Sequence, residues 1–167
     1  MENQIAELEN LIDSEVEEYK KVEILLTEKK EILSNAKSDE LMDVDLRLLD
    51  VIQNISNVSI KRENVSKSMN LGICSISEII KYLKEKSFDE AIIRRFEEKQ
   101  SLIRNLSERI SELEKINKEL TEHGIEFSNK TLELILKGIT VSNQEYNEHG
   151  KSIPSEPLDF SSIVEEA

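Results

Sequence analysis

Between residues 88 and 139 an apolar side chain recurs at every third or fourth position or at multiples of that step: Ile92, Phe96, Ile103, Leu106, Ile110, Leu113, Leu120, Phe127 and Leu134. That spacing returns the chain to the same side of a helix, so it predicts one helix with a stripe that needs a partner. Ser87 and Glu90 stand at capping-box spacing at its start. Acid-before-base pairs four residues apart dress the outside: Glu90 with Arg94, Glu114 with Lys118, Glu126 with Lys130 and Glu133 with Lys137. No proline interrupts the pattern. A continuous helix of this length extends about 78 Å, which belongs to bundles and coiled coils.

The pattern changes after Leu120. Before it, the face opposite the stripe is polar, with Arg94, Glu97, Gln100, Arg104, Ser107 and Glu108. Beyond it, Leu132, Ile135, Leu136 and Ile139 form a second apolar set, nearly opposite Phe127, Leu134 and Val141. A helix apolar on two sides calls for two partners. Gly124 falls in this region, on one heptad line with Asn117, Thr131 and Gly138. It is read either as a tight helix crossing through small residues or as a hinge.

Two further helices precede a short one. Ile5, Leu8, Ile12, Tyr19, Val22, Leu26, Leu33 and Ala36 keep heptad spacing over residues 2–36, with Glu15 and Lys29 at stripe positions. Ser38 and Asp39 punctuate the chain before a helix at 39–69. Its stripe is Leu41, Val44, Leu48, Val51, Ile55, Val58, Val65 and Met69, interrupted by Arg62. Gly72 marks the end of that helix, and Ser75 with Glu78 caps a short one over 75–86. The first two helices, about 50 and 46 Å long, match as an antiparallel hairpin. The helix over 88–139 then runs beside the hairpin and outlasts it near Leu120. The fold expected is all-α without a sheet: a hairpin plus one long C-terminal helix, an elongated three-helix bundle or coiled coil over 1–139. Residues 140–167 read as a flexible acidic tail with Pro154 and Pro157. The tail also holds Ile153, Leu158 and Phe160, and serves either as solubilising sequence or as a linear docking element.

Composition narrows the function. Thirty-five acids against 22 bases give a net charge of -13, which opposes nucleic acid and anionic membrane surfaces. No stretch approaches the run of about 18 apolar residues that spans a bilayer, and the first residues do not resemble a signal peptide. The expectation is a cytoplasmic protein without membrane insertion. Cys74 is the single cysteine, which rules out an internal disulfide and suits a structural role. His123 with Glu119 and Glu126 lacks metal-motif spacing. No phosphate loop or nucleophile motif is present either. The reading is of a non-enzyme without cofactor or metal.

Leu113-Glu114-Lys115-Ile116-Asn117-Lys118-Glu119-Leu120, followed by Phe127 with Leu132, Leu134, Ile135 and Leu136, and then Tyr146 and Gly150 in a YxxxG arrangement, resembles the FlgN family of flagellar export chaperones. The resemblance implies a cytosolic chaperone for hook-associated proteins, which covers an aggregation-prone C-terminal amphipathic helix of the client and delivers it to the flagellar type III export gate. The client-binding residues expected are Phe127, Leu132, Ile135, Leu136 and Ile139, with Tyr146 as a gate-docking residue. Such a chaperone is a monomer or weak homodimer. The alternative is a structural coiled-coil scaffold that self-associates through residues 120–141.

Overall fold

The computed structural model describes residues 2–71 and 75–142. Among these are four α-helices: α1 Glu2–Ser34, α2 Leu41–Ser68, α3 Ile76–Glu85 and α4 Glu90–Ser142. One 3-10 turn, Ser38–Glu40, precedes α2, and no strand occurs among the described residues, so the chain is all-α. By its internal contacts the chain falls into two units, residues 1–121 and residues 122–167.

In the first unit α1 and α2 run antiparallel, as their cross-links show. Gln4 meets Ser68, Glu15 meets Arg62, Glu28 takes both terminal nitrogens of Arg47, and Lys29 meets Asp45. The α4 residues of this unit run parallel to α1: Arg95 pairs with Glu9, Lys99 with Asp13, and Arg109 with Glu23. The Asn117 amide donates to the Leu26 carbonyl at 2.9 Å.

Two apolar clusters sit inside this frame. One joins Ile5, Leu8 and Ile12 of α1 to Met69, to Ile79, Ile80 and Leu83 of α3 and to Phe96 of α4. The other joins Val22, Leu25, Leu26 and Ile32 to Val44, Leu48 and Val51, with Ile110 and Leu113 packed against it. Each fully buried side chain of this kind contributes about 1.5–3 kcal/mol of transfer free energy. Between the clusters along α1 lie Glu15 and Tyr19, where Arg62 reaches across from α2. Glu15 and Arg62, each a break in its own stripe, are therefore each other's partners; Lys29 likewise finds Asp45 at 2.6 Å.

Helix ends depart from the sequence reading in an instructive way. Ser75 and Glu78 do form the reciprocal capping box. Ser87 and Glu90 do not: Ser87 has φ 55 and closes α3, while the carboxylate of Asp89 accepts the Ala91 amide and caps α4. Neither Ser38 nor Asp39 provides a side-chain cap for α2, which instead grows out of the 3-10 turn. Beyond the last residue of α2, Ser68, the chain turns at Asn70, with φ 58, ahead of Gly72, which lies outside the described residues, as does Cys74.

The C-terminal ends of α1, α2 and α3 use one hydrogen-bond pattern. The amides of Lys37, Leu71 and Phe88 each reach back five residues, to the carbonyls of Ile32, Ser66 and Leu83. The preceding residues Ala36, Asn70 and Ser87 bond three residues back and adopt the left-handed conformation. This is the Schellman arrangement, which usually employs glycine. Here its geometry is imposed by the apolar residue that follows it twice over, since Leu71 and Phe88 both pack on the first cluster. Burying them outweighs the left-handed penalty, which sequence propensity alone would have assigned to a glycine.

Candidate helix-binding face

Burial along α4 ends abruptly. Phe96 and Leu106 are buried, Asn117 is the last fully buried residue described on the helix, and Leu120 is half-buried. Every residue from Thr121 to Ile135 is exposed. Among them Ile125, Phe127, Leu132, Leu134 and Ile135 each leave more than half of their surface in water, up to 72% at Phe127. Scattered single apolar residues are normal on a protein surface, but five large ones within eleven positions of one helix are not.

At 100° per residue these side chains form two stripes. Leu132 and Ile135 fall on one side with Leu136, which is half-buried, and with the helix position of Ile139, whose side chain lies outside the described residues. Phe127 and Leu134 fall nearly opposite, so the predicted client-binding set does not form a single face: Phe127 stands apart from the other four. Ile125 lies on the Leu132 side too, at a spacing of seven, eleven and fourteen residues from Leu132, Leu136 and Ile139. Tyr146 lies outside the described residues.

The flanks between the stripes differ in chemistry. One carries the ion pairs Glu126–Lys130 and Glu133–Lys137. The ammonium of Lys137, hydrogen-bonded to Glu133, holds that carboxyl below the usual carboxylate range. The other flank carries Gly124 and Thr131, with Ser128 at the edge of the Leu132 side; the hydroxyls of Ser128 and Thr131 turn back onto the carbonyls of Gly124 and Phe127. A Cβ at Gly124 would meet nothing within 4 Å, which removes the tight-crossing reading of that glycine within the chain. The helix passes through Gly124 without a break.

Among the described residues, no group of three His, Cys, Asp or Glu is placed to hold a metal ion, and no helix is long and apolar enough to cross a membrane. What this segment offers chemically is apolar area along a helix, the kind of surface that takes up another amphipathic helix. Among its described residues this acidic chain is thus all-α, with a run of exposed apolar side chains on its longest helix.

The family described as FlgN protein matches residues 1–152, and the chain belongs to that family. FlgN-family proteins are flagellar type III export chaperones, not enzymes, and they bind flagellar hook-associated proteins. No curated protein and no solved structure matches the chain at a significant level.

Proposed function

We propose that this protein is a cytoplasmic chaperone that holds the C-terminal amphipathic helix of a hook-associated protein against the α4 segment over 125–139 and brings it to the flagellar export gate. One observation carries the reading: the apolar side chains Ile125, Leu132 and Ile135 stand in water on one side of a helix. Exposure of that area in a free protein is a cost that a bound client helix removes. Leu136 and Ile139 extend the same stripe, and Phe127 contributes from the other side as a second anchor. Tyr146 acts in gate docking. The net charge of -13 keeps the loaded complex soluble.

The test is co-purification of the full chain with a hook-associated protein, with and without the client's C-terminal segment. Capture of the intact client and loss of the truncated one is expected. Equal capture of both would overturn the assignment of the client helix. Binding that fails throughout while residues 120–141 hold two copies of the chain together would favour the coiled-coil scaffold instead.

A further inference from the structure

We propose that the outer face of α2 is a self-association surface, which takes the same face of a second copy of this chain in an antiparallel, two-fold symmetric contact. The face was not visible in the stripe that fixes α2 in its core. Val44, Leu48 and Val51 point inward, whereas Met42, Leu46, Leu49 and Ile60 lie on the opposite side, each more than half exposed. Ile52, also more than half exposed, borders them. The apolar surface continues onto α1, where exposed Ile24 lines the same cleft of about 520 Å³ as Leu46, between Lys21 and Arg47.

Charge selects the occupant and its direction. Residues 39–54 hold five acids, Asp39, Glu40, Asp43, Asp45 and Asp50, against the single base Arg47. Residues 55–68 hold Lys61 and Lys67 against the single acid Glu63, Arg62 being turned inward to Glu15. Two copies of α2 laid parallel would set like halves side by side. Laid antiparallel, each acidic half meets a basic half, and the closed two-fold arrangement stops at a dimer.

The register follows from centring the stripe. Met42 comes opposite Ile60 of the second copy, and Leu49 comes opposite Gln53 of the second copy. Asp43 and Lys61 are eighteen residues apart, five whole turns, so they share one flank of the stripe. Two-fold symmetry brings them together within a turn, twice. Among the described residues Asp43 has a single long contact, 3.4 Å to Arg47, whose guanidinium is already held in a fork by Glu28. The stripe from Met42 to Ile60 is about 27 Å long. That is short beside the surface a permanent dimer buries, so the association is weak and depends on concentration.

Sedimentation equilibrium of the full chain over a wide concentration range tests this. Reversible dimerisation is expected for the natural chain, and Leu46→Lys with Leu49→Lys is expected to remain monomeric with unchanged helicity, since both positions are exposed. Asp43→Lys or Lys61→Asp alone weakens the dimer roughly tenfold; the two together restore it. In a Cys74→Ser background, chains carrying Met42→Cys and chains carrying Ile60→Cys cross-link to one another in preference to themselves. A natural chain monomeric throughout would overturn the proposal. So would a dimer indifferent to Leu46 and Leu49, a charge swap without rescue, or a dimer lost only on changing Leu132 and Ile135.

Discussion

Arg62→Met would unbalance the polar layer between the two clusters of the first unit, and its cost follows from the geometry. Glu15 is only 4% exposed, and its carboxylate accepts from Nε of Arg62 at 2.8 Å. Removing the cation leaves a buried carboxylate without that compensation, a change that costs about 3–5 kcal/mol. Against a typical stability of about 5–15 kcal/mol this is a large fraction. At roughly 2–4 °C per kcal/mol for a chain of this size, the melting temperature falls by about 6–20 °C. Glu15→Gln is milder, because the Arg62 side chain is 17% exposed and reaches water where the carboxylate does not. Glu15→Leu with Arg62→Met removes both charges together and is expected to be neutral or to stabilise by about 1–4 kcal/mol. Urea and thermal unfolding followed by far-ultraviolet circular dichroism, arranged as a double-mutant cycle, measure all three. Additive single and double changes, or an Arg62→Met variant within about 1 kcal/mol of the natural chain, would refute the reasoning.

Leu132→Ser with Ile135→Ser tests the proposed client face: melting shifts only by helix-propensity terms of a few tenths of a kcal/mol each, while client affinity falls by more than about tenfold. A large drop in melting temperature, or undiminished client binding, counts against it. Ala36→Gly and Ser87→Gly each relieve a left-handed residue and are expected to raise stability by about 0.5–1 kcal/mol, with Asn70→Gly giving less; unchanged or lower denaturation midpoints would contradict this. Gly124→Ala adds a methyl group that meets nothing and is expected to stabilise the helix by about 1 kcal/mol, read as increased helicity on mild heating. Burial pushes the Tyr19 phenol above its usual value of 10.0, and the nearby charge of Glu15 adds to this while Arg62 opposes it. The folded state therefore holds that proton more tightly, so the contribution is complete below about pH 10 and is lost as pH rises through the folded value. Tyr19→Phe flattens that alkaline loss, and identical urea midpoints for both chains across it would exclude the effect.

The helical phases were legible because burial on one side of a helix writes a period into the chain that no partner can alter. Leu8, Ile12, Val44, Leu48, Phe96 and Leu106 could be picked from spacing alone, and all are buried. The change of character after Leu120 was legible for the same reason. So was the all-α class, since no segment alternates with period two. What spacing could not show is which surface meets which. Glu15 and Arg62 look like separate flaws until antiparallel packing brings them to 2.8 Å. The second helix turns at Asn70 rather than at Gly72, because the side chain that follows, Leu71, is drawn into a core built from distant residues. The outer stripe of α2 escaped notice because an apolar residue reads alike whether it faces a neighbour or water. Periodicity is a property of one helix, and the choice between its two apolar sides belongs to the helices packed around it.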